Sequence, residues 1–362
     1  MGLAALAPAP ADLPAPAATA APRGRRQRSR VAVDTPQLSV VIVNFCQWTN
    51  TARLTDQLRS SEAVRRGAAE VVIIDNHSPA SAEALRLKRL SGVSVVRSGR
   101  NVGFARAVNR GGRRSRGEWV LLLNPDVTVA PGFLDEVLDA AQRFAAVDPD
   151  AGVIGFQMRN RDGSRQASAG AFPTLLRTLG GLFVPRGRRK CQHHRLDRRQ
   201  PVPWVTGGCL LVRRDCFEYL RGMDESFFLY YEDVDFCRRA RAGGWGVWYE
   251  PGLQVTHHFP LHTRGVPPPL RLVTRHALLT YAKKHWAGWQ AGVLGGVVWA
   301  EAKARALLAR RRNDAAAETC FRRLGELVGH VLHDRPAEAD AAVRFAAEFL
   351  SEVAQANDGK TN

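Results

Sequence analysis

From Leu38 onward the chain alternates continuous apolar runs with stretches of helical spacing, and this alternation restricts the fold more than any other feature. Leu38–Asn44 is a β-branched run, Trp48–Ser60 carries apolar residues at helical spacing, and Glu70–Asp75 is again strand-like. Val93–Arg97, the helical stretch Phe104–Ser115 and the strand Glu118–Leu123 continue the series. Such an order predicts an α/β fold: parallel strands covered by helices on both faces, with ligands bound outside the carboxyl ends of the strands. Asn44, Asp75 and the pair Asn124 and Asp126 all fall at such ends, and that shared position says more than any one of them.

Asp75 ends the run Val71–Ile74 and is followed by the polar turn Asn76-His77-Ser78-Pro79. A carboxylate there accepts hydrogen bonds from a base or ribose, or it caps a helix beginning near Pro79; both readings stay open. In Arg100–Ala105, Gly103 lets the backbone approach a ligand, and the helix that follows presents its N-terminus to an anion. No Gly-Lys-Ser/Thr follows, so this is not a P-loop. At Asn124-Pro125-Asp126, Pro125 stops the strand ladder and Asp126 projects from its end. A carboxylate so placed suits a hard divalent cation shared with phosphate oxygens, or simply a polar turn. A second acidic station lies in Tyr230-Tyr231-Glu232-Asp233-Val234-Asp235. These acids open a helix running toward Arg241, where they stabilise the helix dipole whatever the chemistry.

Composition bounds the rest. A length of 362 residues with 45% hydrophobic content allows one substantial core plus appendages. Residues 1–37 are rich in Ala, Pro and then Arg, which predicts a disordered tail, and their charges follow the apolar part, unlike a secretory signal. Six cysteines, Cys46, Cys191, Cys209, Cys216, Cys237 and Cys320, form no Cys-x-x-Cys pair, which speaks for a reducing cytoplasm and against a disulfide framework or zinc site. Cys191-Gln192-His193-His194 lacks a partner cluster and reads as a loop without metal. The net charge of +18 reads first as a solvated basic surface of an Arg-rich chain, and such a field also draws anionic partners. No zinc-finger, RNP1-like or basic-zipper pattern accompanies it, so a membrane surface ranks above specific nucleic acid as the partner.

Taken in order, several segments resemble the motifs of inverting family 2 glycosyltransferases, above all the bacterial rhamnosyltransferase-like branch. They are Ser39-Val-Val-Ile-Val-Asn-Phe45, Val72-Ile-Ile-Asp-Asn76, Asn101-Val-Gly-Phe-Ala105, Leu122-Leu-Asn-Pro-Asp126, Val205-Thr-Gly-Gly-Cys-Leu-Leu211 and Phe227-Phe-Leu-Tyr-Tyr-Glu-Asp-Val-Asp235. The likeness covers about Leu38 to Phe259. It implies a GT-A fold, a Rossmann-like mixed and mainly parallel sheet flanked by helices, and inverting transfer of a sugar from a nucleotide diphosphate donor, with dTDP-rhamnose a candidate. By the same resemblance Asn44, Asp75, Asn101, Gly103, Asn124 and Asp126 face the nucleotide sugar. Asp126 is the metal-binding end of an Asp-x-Asp element with Mg²⁺ or Mn²⁺ as cofactor, and His257 or His258 adds a metal or phosphate ligand. Asp233 is the general base, Glu232 orients it or contacts acceptor, and Trp204, Gly207 and Gly208 wall the acceptor side. Cys46 and His77–Ala80 depart from the family pattern near the nucleotide pocket and bear on donor identity.

The acceptor implied is a saccharide or lipid-linked saccharide, in cell-envelope glycan synthesis. After Phe259 the motifs stop, Pro267-Pro268-Pro269 marks a break, and residues 266–362 read as a helical extension to a 38–265 catalytic domain. Its segments are Leu270–Trp286, Trp289–Arg312 and two amphipathic stretches toward Gln355. The uncharged run Trp286–Ala300 has 15 residues, fewer than the ~20 a bilayer span requires. With its tryptophans and the closing Arg310-Arg311-Arg312 it predicts an interfacial helix at the inner face of the membrane, or else a helix buried against the catalytic domain or a homodimer partner. Trp245, Trp248 and Tyr249 read as core. Among rivals, a sugar-nucleotide pyrophosphorylase requires a Gly- and Lys/Arg-rich phosphate loop after the first strand, and none follows Leu38–Asn44. A carbohydrate- or lipid-binding relative without catalysis is the alternative outside the enzyme class.

Overall fold

The structure, a computed structural model, describes residues 35–181, 197–259 and 265–358. The N-terminal tail, the basic stretch Arg186–Lys190 and the Cys191–His194 segment lie outside the described residues. The first half runs β1 (Leu38–Asn44), α1 (Trp48–Arg59), α2 (Glu62–Arg65), β2 (Ala69–Asp75), α3 (Ala82–Leu87), β3 (Val93–Arg97), α4 (Phe104–Arg114) and β4 (Trp119–Leu123). Next come β5 (Val127–Thr128), α5 (Phe133–Val147), β6 (Ala151–Arg159), β7 (Arg165–Gln166), β8 (Ala169–Gly170), α6 (Leu175–Gly180), β9 (Gln200–Pro201) and β10 (Trp204–Val205). The sheet is completed by β11 (Cys209–Arg213), α7 (Arg214–Tyr219), α8 (Glu232–Ala242) and β12 (Gly246–His257). Four helices follow: α9 (Pro268–His285), α10 (Gly288–Arg311), α11 (Ala315–Leu332) and α12 (Pro336–Asp358).

The main sheet has the order β3-β2-β1-β4-β11-β6-β12-β5. Strands β1 to β4 are parallel, as the alternation requires, with Asn44 opposite Asp75 and Asp75 opposite Arg97 in register. β11 then enters antiparallel between β4 and β6, and β6 and β12 resume a parallel pair. The mixed, mainly parallel sheet is thus a parallel half joined to a second half through one reversed strand.

Successive side chains of β1 go to opposite faces: Leu38, Val40 and Ile42 to one core, Val41 and Val43 to the other. Burial on both faces is why these runs carry no polar alternation. Helix α4 lies so close to the second face that a Cβ on Gly111 would collide with Val41. The helix expected near Pro79 begins instead at Ala82, because Ser81 takes the cap: its hydroxyl accepts from the Glu83 N–H at 3.1 Å.

The C-terminal helices are anchored on the sheet domain through α9. It sends Ala277 and Tyr281 into the core beneath the sheet, and Leu272, Val273, Leu278 and Leu279 into a third core shared with α10, α11 and α12. Among the described residues no helix is long and apolar enough to cross a membrane.

Candidate active site

The carboxyl ends of β1, β2 and β4 carry the first group of polar side chains. Asn44 and Asp75 are both buried and lie side by side. The Asn44 amide donates to Ser78 Oγ at 2.9 Å and more weakly to Asp75 Oδ1 at 3.5 Å, while its oxygen accepts from Thr51 at 2.8 Å. Asp75 Oδ1 accepts the Ser78 N–H at 2.9 Å, and Oδ2 lies 3.6 Å from Arg97 Nε. The carboxylate therefore holds the turn 75–78 and is balanced by Arg97 at the end of the next strand. It does not cap the following helix.

Asn76 joins this turn to the next. Its amide donates to Asn101 Oδ1 at 2.8 Å and its oxygen accepts the Val102 N–H at 3.0 Å. Asn101 in turn accepts the Gly103 N–H at 3.0 Å. Gly103 has φ +86°, and a Cβ there would sit 2.7 Å from the Phe228 carbonyl oxygen. The first amide of α4, Phe104 N–H, donates to that same carbonyl at 2.6 Å. This amide, expected to face an anion, is spoken for by the loop leading to Glu232.

At the end of β4, Asp126 meets β12. The register sets His257 opposite Val127, which brings His257 Nε2 to 3.3 Å from Asp126 Oδ2. His258 faces differently: its Nε2 is hydrogen-bonded to Thr128 Oγ1 at 2.6 Å. Burial, reinforced by Arg53 and Arg161, holds the His258 imidazole below its ordinary range, so it is neutral at pH 7. His257 Nδ1 bonds to the Gln166 side chain at 3.2 Å, which fixes the ring and leaves Nε2 toward Asp126. A carboxylate oxygen and an imidazole nitrogen at this separation match adjacent ligands around an ion with bonds of ~2.1 Å. Among the described residues no group of three or more His, Cys, Asp or Glu side chains converges, so the pair by itself could supply only part of a coordination sphere.

The second acidic station is built at the start of α8. Two consecutive tyrosines, Tyr230 at φ +73° and Tyr231 at φ +64°, turn the chain through left-handed backbone, which side chains other than glycine adopt only at a cost. Asp233 accepts the Gly207 N–H on Oδ2 and the Val234 N–H on Oδ1, both at 2.8 Å. Gly208, the next residue, accepts the Asn124 N–H on its carbonyl at 3.1 Å. A single dipeptide therefore ties the end of β4 to the carboxylate of α8. Glu232 is buried, and its Oε2 has no hydrogen-bond partner among the described residues. Burial first, and Asp233 second, push its carboxyl well above the usual range and so favour its protonated form.

Asp235 anchors the helix from below. It is fully buried and pairs with Arg239 Nε at 2.7 Å, His285 Nε2 at 2.7 Å and Lys284 Nζ at 2.8 Å. Trp204 is 7% exposed and donates its indole N–H to the Ala171 carbonyl at 2.9 Å; it stands in the core behind Gly207 rather than on an open wall. Tyr249 is buried with its hydroxyl on Gln157 at 2.7 Å, and Trp245 and Trp248 pack against the cores. Sequence reasoning missed Asn76, Arg97, Gln166 and His285. Arg97 was within reach, since it ends a strand adjacent to Asp75; the other three act through contacts distant in the chain.

Residues 36–268 match the model of the family described as glycosyltransferase like family 2. The chain belongs to that family and is a nucleotide-sugar glycosyltransferase. Over 277 residues it is 33% identical to an N-acetylglucosaminyl-diphospho-decaprenol L-rhamnosyltransferase of Mycobacterium tuberculosis, covering 71% of this chain and 88% of the relative. It is 30% identical over 229 residues to the low-salt glycan biosynthesis hexosyltransferase Agl10 of Haloferax volcanii, covering 62% of this chain and 68% of that one. A mannosyltransferase from Pyrobaculum calidifontis, solved with GDP-Man and Mn²⁺, aligns over 86% of this chain and 89% of its own, at 16% identity and TM-score 0.49.

Proposed function

We propose that the chain transfers a sugar, rhamnose foremost, from a nucleotide diphosphate donor to a lipid-linked saccharide with inversion, in cell-envelope glycan synthesis. The observation that carries this reading is the Gly207-Gly208 bridge, which holds Asp233 and the Asn124–Asp126 turn in one fixed relation. Inverting displacement requires a base on the side of the reacting carbon opposite the leaving group, and such a bridge keeps the two at constant separation. Asp233 is the base that takes the proton of the acceptor hydroxyl. Burial shifts the neighbouring Glu232 carboxyl toward its protonated form, which leaves Asp233 the better placed carboxylate for that proton.

Asp126 and His257 would hold a divalent cation, Mg²⁺ or Mn²⁺, which when bound would stabilise charge on the departing diphosphate. Asn44, Asp75, Asn101, Gly103 and Asn124 shape the donor side, and Gly207 and Gly208 the side from which acceptor approaches. The choice of rhamnose and of a lipid-linked acceptor is supported by the similarity to the mycobacterial rhamnosyltransferase, and such an acceptor accords with a reaction at the inner face of the membrane.

Calorimetric titration of the full chain with a panel of nucleotide diphosphates and nucleotide sugars, with Mg²⁺, Mn²⁺ or EDTA, tests the reading. Metal-dependent binding of dTDP-rhamnose above the other donors is the expected result. No binding by folded protein under any condition overturns it in favour of a carbohydrate- or lipid-binding relative without turnover.

A further inference from the structure

Helix α10 is apolar on two opposite faces, and only one of them is covered. Ala291, Leu294, Gly295, Val298, Ala302 and Ala309 are buried, and the helix packs on α9 and α11. Trp289, Val293 and Leu307 recur at helical spacing on the opposite side and are 68%, 44% and 51% exposed, with Trp299 beside them at 50%. Helix α6 lies against α10 and leaves Leu176 83% exposed. Apolar area of this extent on a protein surface marks an interaction site.

The charges on the helix select the occupant. Lys303, Arg310 and Arg311 are exposed on the outward side, and Lys303 Nζ lies 5.4 Å from the ring centre of Trp299. Glu301 is the one acidic residue of the helix. It is bound at 2.8 to 3.0 Å by Arg271, Arg275 and Arg305. Burial alone would raise its carboxyl, but those arginines outweigh it and hold the group at about 2. The outward face therefore offers tryptophan, aliphatic side chains and uncompensated positive charge. A second copy of the same face brings positive charge to positive charge. A membrane carrying anionic headgroups supplies both the apolar phase and the counter-charge.

We propose that the outward face of α10 lies in the headgroup region of an anionic bilayer, with Trp289, Val293 and Trp299 inserted and Lys303, Arg310 and Arg311 at the phosphates. The inference rests on this helix and not on the identity of donor or acceptor. It orients the enzyme on the membrane through a helix that lies along the surface instead of spanning it.

The test is flotation of the full-length protein with vesicles of phosphatidylcholine alone or mixed with phosphatidylglycerol, at low and high salt. Wild-type protein floats with the mixed vesicles and far less with neutral ones. Trp289→Ser with Trp299→Ser lowers that partition by roughly tenfold or more, and Lys303→Gln with Arg311→Gln weakens it and flattens its salt dependence. Unfolding midpoints and nucleotide-sugar titrations, both unchanged in the variants, separate loss of membrane contact from loss of fold or of the transfer site. Wild-type protein that stays unbound on both vesicles, or tryptophan variants that bind as well as wild type, overturns the proposal. So does a concentration-dependent dimer that the tryptophan variants abolish, because a second copy would then occupy the face.

Discussion

Replacing Asp235 by Asn isolates the joint between the catalytic helix and the helices behind it. The carboxylate is fully buried and collects Arg239, His285 and Lys284 within 2.8 Å. Burial alone would raise its pKa, but the hydrogen bond from His285 and the charges of Arg239 and Lys284 prevail and hold it at about 2, against an ordinary 3.8. A difference of nearly two units corresponds to about 2 kcal/mol of stability at neutral pH. Because the folded-state value is depressed, that stability is present above the unfolded value near 4 and is lost as pH falls through about 2. Roughly half remains at about pH 3. Asn also leaves the Arg239 and Lys284 charges around a neutral amide, which raises the expected cost at pH 7 to about 2–4 kcal/mol. Urea unfolding of wild type and variant at neutral pH and at about pH 3 reads both quantities. A variant as stable as wild type at neutral pH, or a deficit that does not shrink in acid, refutes the reasoning.

Asp233→Asn is expected to retain donor affinity while lowering transfer by about 10²-fold or more, measured by calorimetry beside a product assay; undiminished turnover removes Asp233 as the base. Asp126→Ala and His257→Ala each weaken metal-dependent nucleotide binding, whereas His258→Ala, whose ring is engaged by Thr128, leaves it within a few-fold; equal losses at both histidines contradict the assignment. Glu232→Gln is expected to stabilise the fold increasingly as pH rises. The raised carboxyl of Glu232 contributes fully below the unfolded value and loses that contribution as pH climbs through the folded one, a penalty the amide does not carry; unfolding midpoints that move in parallel from about pH 4 to about pH 9 rule this out.

The strand order of the first half was legible because each strand is buried on both faces and so reads as an unbroken run from Leu38 to Asn44 or from Trp119 to Leu123. The direction of β11 was not, since Cys209–Arg213 is equally apolar whether it runs parallel or antiparallel to β4. The start of α3 was misplaced because Pro79 is a strong helix signal, whereas the cap is made by Ser81 two residues later. Which histidine faces Asp126 depends on the pairing of β12 with β5, a contact between residues far apart in the chain. The role of Asp235 was hidden for the same reason: its partners Lys284 and His285 lie about fifty positions away, in a region where the motifs had already ended.

The left-handed pair Tyr230 and Tyr231 is held from outside its own loop. Tyr231 packs against Tyr281 with ring centres 5.5 Å apart and planes tilted by 45°, and the Tyr281 ring centre in turn lies 4.7 Å from that of His285, which grips Asp235. A bend that is costly for tyrosine stays in place only while these neighbours over-determine it. In a saturation mutagenesis screen for lost turnover, sensitive positions would therefore cluster along one side of α9, at Tyr281, Lys284 and His285, as well as around Asp233. An inactive clone mapped there would look like damage to a remote appendage, although its effect is to let the turn before Glu232 relax.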